Sequence, residues 1–228
     1  MSRRLIPSPN IWNWPEVYEQ ENVAQDVDGA IWAALAEETP WAGRDVVDVG
    51  CGDGYHLRFF AKARSVLGVE PYPPLVNRAK SKGLPVVQGT AADLPLGDGS
   101  VDLVHARTAY FFGPGCEPGL AEAWRVLRPG GAIAIVDLDA TAPPYGDWMR
   151  ADIPHYDPVA AERFFTRAGF SLRRVATAWR FPDRATCEAV LRIEFSPAVA
   201  ERALAQVCGT TLTVGYRLHI RHKRGTRQ

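Results

Sequence analysis

Three glycines follow a short apolar run in Val46-Val-Asp-Val-Gly-Cys-Gly-Asp-Gly-Tyr55. A strand that turns into a helix through Gly50, Gly52 and Gly54 exposes bare backbone, against which a ligand can lie. The amide groups at the start of the helix point toward a bound carboxylate or phosphate. A dinucleotide fingerprint would place its last glycine at Tyr55, and the Gly-Lys-Ser/Thr ending of a phosphate loop is absent. The turn predicts a ligand site of another kind, although a tight strand-to-helix connection gives the same pattern.

Two acidic residues extend this predicted site. Glu70 closes the next predicted strand, and Asp93 follows the third in Gly89-Thr-Ala-Ala-Asp-Leu-Pro95. Both are expected on one rim, because the carboxyl ends of parallel strands meet at the same edge of a sheet. A carboxylate about twenty residues past the turn accepts hydrogen bonds from ribose hydroxyls, and the second accepts one from an adenine amino group. The expected ligand is an adenosine compound.

The elements that must position these residues alternate between strands and helices. Short apolar runs predict strands, and apolar residues at helical spacing predict the helices between them. The predicted strands are 45–49, 66–70, 85–88, 101–105, 132–138, 171–180 and 210–220, and the helices are 15–24, one after Asp28, one with Leu57 and Phe60, 74–82, 117–127, 158–168 and 186–207, broken at Pro197. This order favours an α/β, doubly wound parallel sheet. Alternating polar residues in 210–220 indicate an edge-side strand with one solvated face.

Together, these residues resemble the motifs of class I S-adenosylmethionine-dependent methyltransferases. The resemblance covers about residues 42–138 and includes Leu127-Arg-Pro-Gly-Gly131 before the fifth strand. It implies a Rossmann-like, seven-stranded, mostly parallel sheet with the last strand antiparallel, and S-adenosyl-L-methionine as cofactor. It also implies an N-terminal helical lid at 1–41 and a methyltransferase domain at 42–228. Within that domain, the lack of a clean hydrophobic period predicts an irregular cap at 139–157.

The resemblance assigns roles to individual residues. Asp48 and the glycine turn would line the methionine part, Glu70 would hold the ribose, and Asp93 with Ala92 would hold the adenine. His105 and Ala106 would face the methionine amino group or the methyl. The full predicted cofactor-binding set is Tyr18, Asp48, Gly50, Cys51, Gly52, Gly54, Glu70, Pro71, Ala92, Asp93, His105 and Ala106. The implied reaction is an in-line attack of a substrate O, N, C or S atom on the sulfonium methyl, for which the protein mainly aligns the reactants and excludes water.

A general base is needed only if the attacking atom is a hydroxyl oxygen or an acidic carbon, and histidine suits that role near neutral pH. The predicted catalytic candidates are His155 in the cap, His105 on the rim and Tyr110 after the fourth strand. Each histidine is also consistent with a packed or solvated side chain, and Tyr110 is also consistent with a residue of the loop core. The predicted substrate-binding set is Trp12, Trp14, Tyr110, Tyr145, Trp148 and His155, although aromatic residues in a cap also commonly close the core. No metal site is predicted.

The composition excludes several classes of protein. With 228 residues, 46% hydrophobic and 23% charged, the chain suits one packed globular domain. Lys+Arg 26 balances Asp+Glu 26, which disfavours a nucleic-acid or membrane-surface partner, although 171–228 is rich in arginine. The four scattered cysteines form no disulfide framework, no apolar run reaches bilayer length, and Pro7 and Pro9 interrupt any signal peptide. A cytoplasmic protein is expected.

The sequence leaves more than one function open. The leading prediction is a methyltransferase that acts on a small molecule, as a monomer or homodimer, with no nucleic-acid or membrane partner. A non-catalytic module that binds S-adenosylmethionine or S-adenosylhomocysteine is the alternative. An RNA methyltransferase is a weaker alternative, kept open by the basic C-terminal third. A nicotinamide-dependent dehydrogenase is disfavoured by Tyr55 and Asp93. The sequence predicts neither the substrate nor the atom that receives the methyl group.

Overall fold

A seven-stranded sheet forms the centre of the computed structural model, which describes residues 8–109 and 113–225. The strands are β1 (Asp45–Val49), β2 (Ser65–Glu70), β3 (Val86–Gln88), β4 (Val101–Arg107), β5 (Leu127–Leu138), β6 (Ser171–Arg180) and β7 (Thr211–His222). Their spatial order is β3-β2-β1-β4-β5-β7-β6. The first five strands pair in parallel, whereas β7 is antiparallel to both β5 and β6. The predicted mostly parallel sheet with an antiparallel last strand is confirmed.

Helices cover both faces of this sheet. They are α1 (Pro9–Asn13), α2 (Pro15–Ala24), α3 (Ala30–Glu38), a 3₁₀ helix (Tyr55–Phe60), α4 (Pro73–Ser81), α5 (Glu117–Val126), α6 (Tyr145–Asp152), α7 (Pro158–Arg167), α8 (Arg184–Glu194) and α9 (Pro197–Gln206). Proline begins several of them, as suits a first turn that needs no amide donor. The carboxylates of Asp157 and Asp183 cap α7 and α8 by accepting backbone N–H groups. None of the helices in the described part of the chain has the length and hydropathy to span a bilayer.

Alternation along the strands sends neighbouring side chains to opposite faces of the sheet. On one face, Trp179 and Leu218 pack in a core with residues of α3, α6, α8 and α9. On the other face, Ile133 and Ile135 of β5 pack with Phe165 of α7 and with residues of α5. The first face is called the lid face below, because α1 and α2 (the lid) adjoin it through α8.

The prediction of an edge-side β7 with one solvated face is wrong. β7 lies between β5 and β6, and β6 forms the edge of the sheet. Arg217 and His219 are 0% and 1% exposed. Helix α7 covers them: the His219 ring stacks on Phe165 with 4.4 Å between ring centroids, and Arg217 donates to the Tyr156 hydroxyl at 2.6 Å. Thr213 on the same face is exposed, so only the central part of the polar face is buried. Alternation identifies the two faces of a strand, but it does not show whether a helix covers the polar one.

The predicted irregular cap at 139–157 is also partly wrong, because it contains helix α6. Tyr145 and Trp148 lie on this helix and are each 1% exposed, within the lid-face core. In addition, β5 begins at Leu127, so Pro129-Gly130-Gly131 lies within a strand rather than before it. The division into a lid at 1–41 and a domain at 42–228 stays a prediction.

Candidate functional site

The glycine turn joins β1 to the 3₁₀ helix at the carboxyl edge of the sheet. Gly50, Gly52 and Gly54 have φ values of 73°, 59° and 83°, in the left-handed region that favours glycine. A Cβ atom on Gly50 would lie 2.8 Å from Cβ of Ala109, and one on Gly52 would lie 2.8 Å from Cδ1 of Ile11. The turn therefore has no room for side chains. It is covered from two sides, by the residues after β4 and by α1 of the lid.

Glu70 ends β2 and faces this turn. Its Oε2 accepts the amide N–H of Gly52 at 3.0 Å, and its Oε1 accepts that of Tyr72 at 2.9 Å. Burial raises the pKa of Glu70, and the two amide hydrogen bonds oppose that shift. Each carboxylate oxygen can accept a second hydrogen bond beside the one from the backbone amide, so Glu70 can accept hydrogen bonds from two hydroxyl groups. This arrangement fits the ribose of an adenosyl group.

The turn after β3 lies on the same edge of the sheet. The amide of Asp93 donates to the carbonyl of Thr90 at 3.0 Å, which leaves the Asp93 side chain exposed beside Ala92. The Thr90 hydroxyl oxygen is buried and has no hydrogen-bond partner in the described chain. An unsatisfied buried hydroxyl beside a free carboxylate fits a polar heterocycle such as adenine.

The predicted role of His105 at the rim requires correction. Its Nδ1 lies 2.7 Å from Oδ1 of Asp48, and the two side chains are 1% and 3% exposed. The rings of Trp32 and Phe60 flank the imidazole, with centroids 5.6 and 5.2 Å away. Because β1 and β4 are paired here, His105 and Asp48 lie side by side on the lid face. His105 is a core residue and not an available base. The role of Asp48 toward methionine stays a prediction.

Other predicted cofactor residues lie close to the turn, with different exposures. Ala106 is 0% exposed, and its side chain packs on the face opposite to His105. Cys51 is buried, and burial raises the pKa of its thiol, which disfavours a reactive thiolate. Pro71 is half-buried after Glu70. Ala106 can therefore offer a ligand only its backbone, and the roles of Cys51 and Pro71 remain predictions.

The residues predicted to catalyse or bind substrate are not brought together. His155 is exposed between α6 and α7, where it lines a cleft of about 280 Å³ together with Pro114, Tyr156, Asp157, Ala160 and Ala161. That cleft lies on the α7 side of the sheet, opposite to His105. Tyr145 and Trp148 are core residues of α6, so they do not wall a substrate as predicted. Tyr110 lies outside the described residues.

The lid is fastened to the glycine turn. Trp12 stacks on Tyr72 with ring centroids 4.3 Å apart, whereas Trp14 is 48% exposed. Arg78 of α4 joins Asp53 of the turn to the lid, and Lys82 donates to the same aspartate. The Arg78 guanidinium also contacts Glu16 at 2.9 Å and Glu19 at 2.7 Å. The sequence analysis missed these ion pairs, although Asp53 lies between two of its glycines.

A second group of polar residues, some buried and some half-buried, lies beyond β4, and sequence reasoning identified few of its members. We call it the lid cluster; it consists of Asn10, Tyr18, Glu21, Gln25, Arg107, Tyr145, Glu194 and Tyr216. Gln25 links two charges, since its Nε2 donates to Glu21 at 2.6 Å and its Oε1 accepts from Arg107. Glu194 accepts from Asn10 and from the Tyr145 hydroxyl, each at 2.5 Å.

The acids of the lid cluster hold their protons more tightly than usual. Burial raises the pKa of Glu21, and the nearby charge of Glu194 raises it further. Burial also raises the pKa of Glu194. Tyr18, predicted as cofactor-binding, lies here with its hydroxyl beside Thr108, and burial raises its pKa. No local pattern could have identified this cluster, because its residues come from separate helices and strands.

Comparison with known proteins agrees with the geometry. The family described as "Methyltransferase domain" matches residues 47–135. The trans-aconitate 2-methyltransferase of Deinococcus radiodurans is 32% identical over 127 residues, which cover 54% of this chain and 48% of that protein. An uncharacterized methyltransferase of Synechocystis is 38% identical over 101 residues, covering 42% and 48% respectively. The chain thus spans about half the length of these curated relatives.

Solved structures share the fold. The methyltransferase in the complex with the Haloferax volcanii Trm112 activator superposes with a TM-score of 0.62 at 20% identity, covering 96% of this chain and 98% of that one. The YcgJ protein of Bacillus subtilis gives a TM-score of 0.61 at 18% identity, covering 86% and 99%. The stretch matched by the family contains the glycine turn, Glu70 and Asp93. Residues 47–135 of this chain therefore match the methyltransferase domain family, whose cofactor is S-adenosyl-L-methionine, and the whole chain shares its fold with a solved methyltransferase.

Proposed function

We propose that this chain transfers a methyl group from S-adenosyl-L-methionine to a nucleophilic atom of a small molecule. One observation carries the proposal: the glycine turn, Glu70 and Asp93 occupy the carboxyl edge of β1, β2 and β3, and the lid cluster occupies the same edge beside β4 and β7. Ligands of open α/β sheets bind at this edge, where the strand order reverses. The reversal here lies between β1 and β4. A methyl donor and an acceptor can therefore meet across it.

The donor half has a defined set of contacts. Glu70 would accept the ribose hydroxyls, Asp93 would accept the adenine amino group, and the left-handed turn would hold the methionine part. S-adenosyl-L-methionine supplies a methyl group that is already activated by its sulfonium charge. Ile11 packs on Gly52, so a donor that lies against this glycine would require α1 to move away from the turn. Closing the lid again would exclude water from the edge.

The protein's contribution to rate would come mainly from alignment. Holding two reactants in line and at near-attack distance supplies roughly 7 to 11 kcal/mol of a reaction barrier. The Nδ1 atom of His105 is hydrogen-bonded to Oδ1 of Asp48 in the core, and His155 lines a cleft on the opposite face of the sheet. We therefore propose in-line displacement without a histidine base from either position.

The arginines of the basic C-terminal segment, residues 171–228, favour a small-molecule acceptor over RNA because several of them are already paired or buried. Arg173, Arg174 and Arg184 each pair with carboxylates, at 2.7, 3.1 and 3.0 Å respectively. Arg217 is fully buried. These guanidinium groups stabilise the fold rather than form a free basic surface. One relative is also named for a small molecule, trans-aconitate.

A non-catalytic module that binds the donor or its product is the second candidate. The observation that favours it is the coverage of the turn, since Ile11 and Ala109 both lie against its glycines. A turn closed in this way would suit a sensor that opens on binding as well as an enzyme.

Two measurements test these candidates. Titration calorimetry with S-adenosylhomocysteine and NAD, side by side, is expected to show binding of the first only. Transfer of radiolabelled methyl from S-adenosylmethionine to a panel of small acceptors is expected to give a labelled product, at a rate that is insensitive to moderate salt. Binding without transfer would favour the module, steep salt dependence with an RNA acceptor would favour the RNA enzyme, and absence of S-adenosylhomocysteine binding would exclude the proposal.

A further inference from the structure

Arg107 ends β4 at the reversal point of the sheet. The register pairs Val49 with Ala106, so the next position places Arg107 beside Gly50 on the neighbouring strand. Its side chain lies on the lid face, as does that of His105 two residues earlier. It is 8% exposed. A buried cation therefore stands next to the glycine turn, on the side away from Glu70.

The contacts of Arg107 leave much of its guanidinium unused. Nη2 donates to Gln25 and, at 3.2 Å, to the hydroxyl of Tyr216, whose ring centroid is 4.9 Å from the guanidinium carbon. Within residues 8–109 and 113–225, Nε and Nη1 have no hydrogen-bond partner, and no carboxylate lies within 4 Å. By contrast, the fully buried Arg217 has Glu162 at 3.7 Å. Among the described residues, Arg107 is therefore a buried guanidinium without a direct counter-ion.

The two acids of the lid cluster have other partners, although Oε2 of Glu21 has none among the described residues. Glu21 contacts Gln25, which stands between it and the guanidinium, and Glu194 accepts from Asn10 and Tyr145. Burial raises the pKa of both acids, and the nearby charge of Glu194 raises that of Glu21 further. Two adjacent buried carboxyls hold a proton between them more readily than two charges, so they supply Arg107 with at most part of a counter-charge.

A guanidinium with free N–H groups matches a carboxylate, which accepts two parallel hydrogen bonds from it. A neutral or cationic acceptor would leave the buried charge unpaired, at a substantial free-energy cost. We propose that Arg107 binds a carboxylate of the methyl acceptor, so that the acceptor is an organic acid. This inference rests on the proposed function, and it names the substrate class of that same site.

The test compares organic acids with their uncharged amides on protein loaded with S-adenosylhomocysteine. The probes are succinate, glutarate, benzoate and trans-aconitate, each against its carboxamide, measured by titration calorimetry and by thermal shift. We expect at least one acid to bind about tenfold or more tightly than its amide, as lost hydrogen bonds to a charged group predict.

Two substitutions test whether Arg107 causes the preference for an acid over its amide. Arg107→Gln should remove the preference, and Arg107→Lys should keep part of it, because the charge remains without the planar fork. The matched control is Arg180→Gln at the exposed end of β6, where the preference should be unchanged. Circular dichroism and S-adenosylhomocysteine affinity establish that each variant is folded.

The outcomes separate this proposal from the proposed function. Equal binding of acids and amides, no acid binding at all, or an unchanged preference in folded Arg107→Gln would each overturn it while S-adenosylhomocysteine still binds. If Arg107→Gln does not fold, the acid-to-amide ratio of the wild type and the Arg107→Lys variant still decide. A wild-type protein that does not bind S-adenosylhomocysteine would overturn the proposed function and this proposal with it.

Discussion

The two halves of the sheet edge are built by different means. The proposed donor half, which is the glycine turn with Glu70 and Asp93 on β1 to β3, relies on backbone: three glycines have left-handed conformations, and Glu70 accepts hydrogen bonds from the amides of Gly52 and Tyr72. The lid cluster relies on side chains from distant segments, with Arg107, Glu21 and Glu194 buried among tyrosines and amides. A site built from backbone suits a ligand that all members of a family bind. A site built from side chains can differ between members, and it therefore suits a ligand that is specific to one of them.

Burial raises the pKa of the acids in both halves, but the neighbours of those acids differ. In the donor half, Glu70 has amide partners that favour its charged form and oppose the effect of burial. In the lid cluster, Glu21 and Glu194 lie close together, and burial favours their neutral forms. We therefore expect changes in the donor half to act mainly on cofactor affinity, and changes in the lid cluster to act on stability and acceptor choice.

Gly52→Val should have the largest effect, abolishing S-adenosylhomocysteine binding in titration calorimetry. The new Cβ would lie 2.8 Å from Cδ1 of Ile11 at a φ of +59°, which fills the turn and costs roughly 1–2 kcal/mol of backbone strain. Gly83→Val is the matched control, because Gly83 has a φ of +74° with no atom within 4 Å. It should carry similar strain and keep binding. Retained binding by Gly52→Val would mean that the donor does not lie against this turn.

Glu70→Gln should weaken S-adenosylhomocysteine binding by about 1.5–3 kcal/mol, the usual value of hydrogen bonds to a charged group. The amide keeps one acceptor oxygen, but its nitrogen cannot accept from a backbone N–H or a ribose hydroxyl. Calorimetry measures the change in dissociation constant. Asp98→Asn serves as the control, since that side chain is 82% exposed and pairs at the surface with Arg125. Equal affinities in both variants would remove Glu70 from the ribose role.

Trp12→Ala should lower the free energy of unfolding by about 1 kcal/mol, because the stacked pair with Tyr72 joins the lid to the donor half. Urea denaturation measures the change. Trp14→Ala is the matched control, and it should change stability by less than about 0.5 kcal/mol because Trp14 is 48% exposed. Equal losses in the two variants would show that the stack does not fasten the lid.

Glu194→Gln should flatten the dependence of stability on pH, the smallest of these effects. Burial raises the folded-state pKa values of Glu21 and Glu194 above the ordinary 4.5, so the folded state binds protons more tightly than the unfolded state. Stability contributed by the protonated pair is present below about pH 4.5 and is lost as pH rises through the folded pKa values. Removing one acid removes part of that decline.

Melting temperatures between about pH 5 and pH 8 measure the decline. Glu201→Gln is the control for the loss of one carboxylate, because that side chain is 63% exposed in an ion pair with Arg192. It should retain the wild-type slope. A wild-type melting temperature that rises over this range, with the same rise in Glu194→Gln, would contradict the shifted pKa values.

Much of the fold followed from local patterns. The bounds of β1, β6 and α2 were predicted to the residue, because apolar runs and an initial proline mark them directly. β7 was misplaced because its polar residues, Arg217 and His219, are satisfied or covered by α7 rather than by water. His105 was misplaced for a related reason, since its position at a strand end did not reveal that Asp48, on the neighbouring strand, accepts its hydrogen bond.

By itself, the sequence determined the order of strands and helices and the glycine turn near Glu70, because glycine conformations and hydrophobic periodicity act over a few residues. Only the tertiary structure decided the lid cluster and the exposure of each polar side chain. Arg107 and Tyr216, for example, are 109 residues apart and meet only when β4, β5 and β7 pair in this order. Burial and the pairing of charges depend on contacts of this kind, which no local pattern encodes.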